Sequence, residues 1–271
     1  MVERSPGGVA RPIPAGKKPN VLKLLTLARD LRRRKARERQ GLFAAEGVRA
    51  VEELVRSPLV IRGVLVAPQL ADAPRGAALL ASLRQRRTEV VEVSPLELGS
   101  AAETDSPQGV VAVAEIPERS LDDLVIPARA RLVLLDGVQD PGNVGTIVRA
   151  AGALGPAFVS LSAGCSDPLS GKGVRASMGA VFRVPIEQSA DGPPDGLPRI
   201  ALAAGDGVPL WELDLTGPAL LLVGAERLGL PPELVESADH VARIPQAPGA
   251  DSLNAAAAAT VALYEAVRQR A

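Results

Sequence analysis

Polar residues that could do chemistry follow apolar segments in the C-terminal half of the chain. Asn143 lies in a loop rich in glycine and proline that leads into a helix, and Arg149 is a single cation on that otherwise apolar helix, where it needs a partner. Glu226 closely follows an aliphatic run that ends in Gly224. The loop could present backbone amides to an anion, and Gly224 would allow close approach to a ligand. These features predict a ligand site, although an ordinary turn and a surface glutamate would explain each one alone.

A third polar segment, Arg243–Asn254, precedes an alanine-rich helix that the sequence predicts over Ser252–Gln269. The hydroxyl of Ser252 can cap this helix, because serine accepts a hydrogen bond from the first free backbone amides. Taken alone, the segment is best interpreted as a capped C-terminal helix.

The composition excludes several other chemistries. The chain of 271 residues has one cysteine, Cys165, and one histidine, His240, which excludes an intrachain disulfide and argues against structural zinc and His-based nucleophilic catalysis. Aromatic residues make up 2%, so the core must be aliphatic, and base-stacking platforms are not expected. No apolar run approaches the roughly 18–20 residues of a membrane span, and Met1–Gly16 lacks a signal-peptide core. We therefore expect a cytoplasmic protein with no metal and no membrane contact.

The elements that must position these residues alternate between helix and strand, which is typical of an α/β protein. In the N-terminal part, the patterns predict helices from Asn20 into an arginine-rich segment, over Val48–Arg56 and over Ala77–Arg86, and strands within Gly41–Gly47, Val60–Val66, Glu89–Val93 and Gly109–Ala114. We predict a flexible tail over residues 1–19, a small α/β domain over 20–115 and a linker over 116–130.

The second predicted domain, residues 131–271, has more continuously apolar strands. They lie at Leu132–Leu135, Phe158–Leu161, Ile200–Ala204, Leu220–Val223 and Val241–Ile244. Strands of this kind are usually buried on both faces of a mostly parallel sheet covered by helices. Gly155 is the predicted stop of the helix that carries Arg149.

Charge is unevenly distributed, although the net charge is zero. The segment Arg29–Arg39 holds seven cations against Asp30 and Glu38. It could be a solvated helix face with ion pairs or a phosphate-binding patch. In the second case, the candidate RNA contacts are Arg32, Arg33, Arg34 and Lys35.

In this order and at these spacings, the three polar segments closely resemble the signature motifs of the SpoU-type (TrmH-like) branch of the SPOUT RNA methyltransferases. The first motif is matched by Asn143, Gly145, Ile147 and Arg149, the second by Gly224, Glu226, Gly229 and Leu230, and the third by Ile244, Pro245, Ser252, Leu253 and Asn254. Lys172–Ala180 is similar to a segment between the first two motifs, and it adds Arg175 to the candidate RNA contacts. Phe43–Arg49 and Thr104–Val110 resemble a substrate-binding domain with the ribosomal protein L30e fold.

The resemblance implies a mostly parallel catalytic sheet with a deep trefoil knot, and a homodimer with its active site at the subunit interface. It implies transfer of a methyl group from S-adenosyl-L-methionine to a ribose 2'-hydroxyl of RNA. Arg149 is the implied base, or the group that orients a phosphate and polarises the hydroxyl. The implied partners that hold Arg149 and the ribose are Asn143, Glu226, Ser252 and Asn254. The implied cofactor site lies around Gly224, Ile244 and Leu253, with Ala203, Gly205 and Leu230 as neighbours.

Three functions remain open from the sequence. The favoured one is ribose methylation of large-subunit (23S) ribosomal RNA, because the predicted N-terminal domain is similar to a ribosomal protein. The second is the same chemistry on transfer RNA. The third is an inert RNA-binding or ribosome-assembly protein, against which the intact motif residues argue.

Overall fold

The computed structural model describes residues 21–117, 130–155, 157–188, 196–249 and 252–271. The predicted tail over 1–19 and most of the predicted linker over 116–130 lie outside these ranges. Among the described helices, none combines the length and the apolar character that a bilayer crossing demands.

The N-terminal unit, residues 21–117, is a four-stranded mixed sheet with helices packed on it. Its helices are α1 Val21–Asp30, α2 Arg34–Gln40, α3 Val48–Arg56, α4 Pro74–Gln85 and α5 Pro95–Ala101, and its strands are β1 Leu42–Glu46, β2 Ile61–Val66, β3 Val90–Glu92 and β4 Val110–Glu115. The strand order is β1-β4-β2-β3, with β4 antiparallel to both neighbours and β3 parallel to β2. All four predicted strands are confirmed.

The predicted helix through the arginine-rich segment is interrupted. Helix α1 ends at Asp30, and α2 begins at Arg34. The guanidinium of Arg37 donates to the carbonyl oxygens of Leu31 at 2.8 Å and Arg32 at 2.9 Å, so a side chain satisfies backbone groups that a continued helix would have used.

The C-terminal unit, residues 130–271, is a seven-stranded sheet whose described pairings are all parallel. Its strands are β5 Arg131–Leu135, β6 Ala157–Leu161, β7 Ile186–Gln188, β8 Arg199–Ala203, β9 Val208–Pro209, β10 Ala219–Val223 and β11 His240–Arg243, and its helices are α6 Pro141–Ala153, α7 Gly171–Ser177, α8 Pro232–Glu236 and α9 Ala255–Arg268. Every residue of β5, β6 and β10 is buried, as their apolar sequences predict. The predicted α/β class is confirmed.

The strand order β7-β6-β5-β10-β8-β11-β9 reverses direction beside β5. The chain passes from β5 to β6 on one side of the sheet, and it later inserts β10 on the other side of β5. Open α/β sheets bind ligands outside the carboxyl ends of strands at such a switch point. Asn143 lies in the first turn of α6, directly after the loop that follows β5, and Glu226 lies in the turn that follows β10, so the topology brings the first two motifs to one edge.

A single hydrophobic core crosses from the N-terminal unit into the C-terminal unit. The ring of Phe43 on β1 stacks on that of Phe182 at a centroid distance of 5.6 Å, and both side chains are fully buried. Arg37 on α2 of the N-terminal unit forms an ion pair of 2.6 Å with the carboxylate of Asp167 in the C-terminal unit. The two units are therefore packed against each other, which fixes the N-terminal sheet relative to the catalytic motifs.

Candidate active site

Helix α6 is anchored at its first turn by Asp140. The side chain of Asp140 accepts a hydrogen bond from the backbone amide of Asn143 at 3.0 Å, and Pro141 occupies the first helical position. Lys172 lies 2.5 Å from the same carboxylate. Its hydrogen bond and the backbone bond from Asn143 hold the pKa of Asp140 below its ordinary value. The amide of Asn143 is thus already used, and the prediction that it is offered to an anion is wrong.

We expect Asp140→Ala to lower the free energy of unfolding near neutral pH by about 0.5–2 kcal/mol, the usual cost of losing a helix cap. The folded pKa of Asp140 is lowered, so its contribution is present above the unfolded pKa and is lost as pH falls through the folded pKa. Denaturant titrations should therefore show wild type and variant converging in acid. Asp206→Ala, at an exposed site, is the control. A stability difference that stays constant from neutral to acid pH would contradict this role.

The three polar segments meet in one chain of hydrogen bonds. The side-chain amide nitrogen of Asn143 donates to the carboxylate of Glu226. The side-chain amide nitrogen of Asn254 donates to the side-chain oxygen of Asn143 at 3.1 Å. These partners are 83 and 111 residues apart in sequence. Because Asn143 both accepts and donates, the network fixes which way its amide points. The carboxylate of Glu226, in the second segment, is thereby held by Asn143 of the first segment, which Asn254 of the third segment orients.

The cap of helix α9 is Asn254. Its side-chain oxygen accepts from the backbone amides of Ala256 at 2.9 Å and Ala257 at 3.3 Å. The prediction that Ser252 caps this helix is wrong, because the helix starts at Ala255 rather than at Ser252. Ser252 instead lines the cavity described below. The same Asn254 therefore starts the helix and orients Asn143.

A tight turn follows β10 and carries Glu226. Ala225 and Gly229 pair through two backbone hydrogen bonds, of 3.1 and 2.8 Å. A Cβ on Gly224 would lie closer than 3.0 Å to backbone atoms of Gly229 and Leu230, a distance that Cβ atoms essentially never show. The need for glycine at 224 thus comes from the returning backbone of the turn. Gly224 also lines the cavity described below, so the expectation that it allows close approach to a ligand stays a prediction.

A cavity of about 290 Å³ opens at the carboxyl ends of β8, β10 and β11. Of the predicted cofactor residues, it is lined by Ala203, Gly224, Ile244 and Leu253. Gly205 and Leu230 are not among its lining residues: a Cβ on Gly205 would meet open space, and Leu230 lines the adjoining groove instead. The sequence reasoning missed Gln246 and the alanines at 225, 242, 255 and 258. Their only sequence signal was a position within or just after a strand, or within the alanine-rich helix.

A wider groove lies on the other side of the same turn. It is lined by the loop from Asp136 to Asn143, by the turn itself and by Asn254. Glu226 lines both the groove and the cavity. A ligand in the cavity and a second molecule in the groove would meet at this hydrogen-bonded chain. Such an arrangement suits transfer of a group between two oriented reactants.

Arg149 lies apart from this chain. Its side chain is exposed on α6, and among the residues that the structure describes it has no hydrogen bond or ion pair. Arg149 follows Asn143 by six residues, which places it about 9 Å along the helix axis and about 120° around it. The predicted need for a partner within the chain is wrong, because this stripe of α6 is open to solvent rather than buried.

The basic segment Arg29–Arg39 divides into two groups. Arg37 is only 4% exposed and binds Asp167, and Arg34 donates to the carbonyl of Cys165 at 3.3 Å, so both contact the C-terminal unit. Arg33 pairs with Asp30. Arg32 and Lys35 are exposed and form no ion pair with any described residue. The ion pairs of Arg33, Arg34 and Arg39 fit the solvated helix face, whereas the phosphate-binding patch stays a prediction, with Arg32 and Lys35 as its open cations.

We expect Arg32→Gln combined with Lys35→Gln to weaken RNA binding and flatten its dependence on salt. Each lost phosphate contact removes about 0.7–0.9 from the slope of log affinity against log salt. Filter-binding titrations at several salt concentrations measure this slope. The control is Arg84→Gln with Arg87→Gln, which removes the same charge from another exposed site. If both double variants change the slope equally, net charge rather than a local patch is responsible.

Comparisons with known proteins agree with this geometry. Residues 130–264 match the model of the SpoU rRNA Methylase family, and residues 25–112 match an MRM3-like substrate binding domain. The chain is 34% identical over 253 residues to the 23S rRNA (uridine(2479)-2'-O)-methyltransferase of Streptomyces viridochromogenes, with 88% of this chain and 86% of the relative covered. It is 31% identical over 243 residues to the 23S rRNA (guanosine(2553)-2'-O)-methyltransferase RlmP of Bacillus subtilis, with coverage of 87% and 92%.

A solved structure is similar over the same length. The SpoU methyltransferase AviRb from Streptomyces viridochromogenes, in complex with the cofactor AdoMet, matches with a TM-score of 0.79 and 34% identity, covering 91% of this chain and 97% of that one. The fold and the paired sites therefore define an RNA methyltransferase. The chain belongs to the SpoU rRNA methylase family.

Proposed function

We propose that this protein transfers a methyl group from S-adenosyl-L-methionine to a ribose 2'-hydroxyl of 23S ribosomal RNA. The observation that carries the proposal is the hydrogen-bonded chain from Asn254 through Asn143 to Glu226, which lies between the cavity and the adjoining groove. Two relatives that are similar over most of the chain are named as 23S rRNA 2'-O-methyltransferases, which favours that RNA over transfer RNA.

The cavity fits the cofactor. Its wall consists mainly of glycine, alanine and aliphatic residues at the ends of three strands, which is the usual lining of a small-molecule site. Backbone amides and carbonyls there, together with Gln246, can hydrogen-bond a neutral adenosine. When bound, S-adenosyl-L-methionine supplies an activated methyl group on its sulfonium. No metal is required for that chemistry, and the described residues contain no cluster of three or more His, Cys, Asp or Glu side chains that could hold one.

The polar residues then orient the acceptor ribose. Asn254 holds Asn143, and Asn143 holds Glu226 at the boundary between cavity and groove. Ser252 lines the cavity near the same point and can hydrogen-bond the ribose. The guanidinium of Arg149 offers only N–H donors and no acceptor, so it is unsuited to take the proton of the hydroxyl. We assign it to an RNA phosphate, where it orients the ribose and polarises the hydroxyl.

We further propose a homodimer that brings Arg149 to this site. Helix α9, which packs against α6, exposes Val261 and Tyr264, the latter 56% exposed. A second copy of the chain that covered Val261 and Tyr264 on α9 would also bury the solvent-exposed side of α6 and enclose Arg149. Light scattering at micromolar concentration should show a dimer for wild type and a monomer for Tyr264→Asp. A monomer for wild type would contradict the proposed dimer.

The trefoil knot, the cytoplasmic location and the predicted domain boundaries stay predictions.

The substrate class is tested by direct competition. The protein is incubated with methyl-labelled S-adenosyl-L-methionine and equal amounts of 23S RNA and bulk transfer RNA. We expect label in 23S RNA only. Label in transfer RNA would replace the favoured substrate by the second one, and absence of transfer to either RNA would favour an inert assembly protein.

A further inference from the structure

A further cavity lies between the two units of the fold. Its volume is about 810 Å³, and it shares no lining residue with the cofactor cavity or the adjoining groove. The N-terminal unit contributes the segments around Arg49, Gln69 and Gln108, and helix α7 of the C-terminal unit contributes Arg175, with Met178 just after it. A space of this size is within the usual range for small-ligand sites.

Gln69 is presented to this cavity by a rigid turn. The 3-10 turn Pro68–Asp72 is packed against two glycines, because Cβ atoms on Gly76 or Gly109 would collide with the backbone of Leu70. Leu70 itself is buried. The side-chain oxygen of Gln69 is buried and has no hydrogen-bond partner among the described residues. The fold thus fixes an acceptor without satisfying it.

Arg175 supplies a donor in the same cavity. Its Nη1 atom lies 3.8 Å from Glu46 and 3.9 Å from Glu103, which balances its charge but is too far for a hydrogen bond. Glu46 is already satisfied, because it accepts from the amides of Glu103 at 2.7 Å and Thr104 at 3.3 Å and from the Thr104 hydroxyl. Nη1 is therefore buried without a hydrogen-bond partner among the described residues. Unsatisfied buried groups of this kind are rare and call for a ligand or another explanation.

Two further lining residues favour a nucleotide, because one can contact a phosphate and the other can contact a base. Arg49 is exposed at the rim and makes no hydrogen bond or ion pair with a described residue, so it is free for a phosphate. Met178 is 36% exposed and has φ of 50°, an unusual backbone conformation for a residue other than glycine. It offers an apolar surface to a base in a chain with 2% aromatic residues. Single-stranded RNA is commonly recognised through hydrogen bonds to base edges and stacking on arginine guanidinium planes, and the exposed guanidinium of Arg49 adds such a surface beside Met178.

We propose that this cavity binds an unpaired nucleotide of the substrate RNA other than the methylated one, with Gln69 and Arg175 contacting the base edge and Arg49 the phosphate. The proposal rests on the proposed function, because it takes the RNA substrate as given. The site would select RNA by a nucleotide that is held against both units at once. It would therefore contribute to specificity through RNA affinity, while the chemistry takes place elsewhere.

The test replaces Gln69 by alanine, a change on a surface turn that leaves the interface residue Arg175 in place. Single-turnover methylation is measured at increasing 23S RNA concentration, together with equilibrium RNA binding and the melting temperature. We expect the half-saturating RNA concentration and the Kd to rise at least about fivefold, the effect of losing a base contact. The rate at saturating RNA and the affinity for S-adenosyl-L-methionine should stay at wild-type values. Gln85→Ala, an exposed glutamine on α4, is the matched control.

The outcomes separate the two proposals. If wild type transfers methyl to RNA and Gln69→Ala matches Gln85→Ala in RNA concentration dependence and binding, the nucleotide site is overturned. If wild type transfers no methyl to 23S RNA, the proposed function fails, and the binding measurement still decides the nucleotide site. Weaker binding by Gln69→Ala alone then supports it, and equal binding refutes it. A lowered saturating rate with unchanged RNA affinity would also refute it.

Discussion

Replacing Arg149 with alanine is expected to lower single-turnover methyl transfer by about 100-fold or more, as when a group that takes part in proton transfer or positioning is lost. The melting temperature should stay near that of wild type, because the side chain is exposed and forms no hydrogen bond or ion pair with a described residue. Exposed substitutions of this kind usually change stability by less than about 0.5 kcal/mol. The affinity for S-adenosyl-L-methionine should also be unchanged, since Arg149 does not line the cofactor cavity.

Arg149→Lys separates charge from geometry. Lysine keeps the charge but loses the planar fork that can engage a phosphate and a ribose together, so we expect it to be nearly as inactive as alanine. Arg84→Ala, an exposed arginine on α4, controls for loss of surface charge. A stable lysine variant with near-normal methylation would remove Arg149 from the proposed catalytic group.

Replacing Gly224 with alanine is expected to abolish detectable binding of S-adenosyl-L-methionine in calorimetric titration. The added Cβ would overlap backbone atoms of Gly229 and Leu230, so the turn that carries Glu226 must move. That turn forms the wall of the cofactor cavity and of the groove. One added carbon should therefore lower cofactor affinity and methyl transfer together.

Gly217→Ala is the matched control for that substitution. Gly217 is also in the C-terminal unit, but a Cβ there would meet no atom within 4 Å. We expect this variant to bind the cofactor and transfer methyl as wild type does. Wild-type cofactor affinity in Gly224→Ala would show that the turn is not the cavity wall that the geometry indicates.

The strands were predictable from the sequence because burial on both faces leaves a continuous aliphatic run. The predicted strand Leu220–Val223 lies within β10, every residue of which is buried. Helix α7 was not predicted, because its sequence contains Gly171 and Gly173, which disfavour a helix in isolation. Packing explains it: a Cβ on Gly145 of α6 would come within 3.0 Å of α7 atoms, so the glycines let the helices approach closely.

The candidate site was predictable as a set of residues but not as a geometry. The motif match named Asn143, Glu226 and Asn254, and the fold brings these three together. The exchange of capping roles between Ser252 and Asn254 was not visible, because both residue types cap helices equally well. The separation of Arg149 follows from helix geometry, which the linear motif does not convey.

The most direct test is a map of ribose methylation across 23S RNA from cells that lack the gene and from cells complemented with wild type or Arg149→Ala. We expect a 2'-O-methyl group to be missing in the deletion, to return with wild type and to stay missing with the variant. An unchanged ribose methylation pattern in the deletion, or a missing methyl that lies on a base rather than on a ribose, would contradict the proposed function.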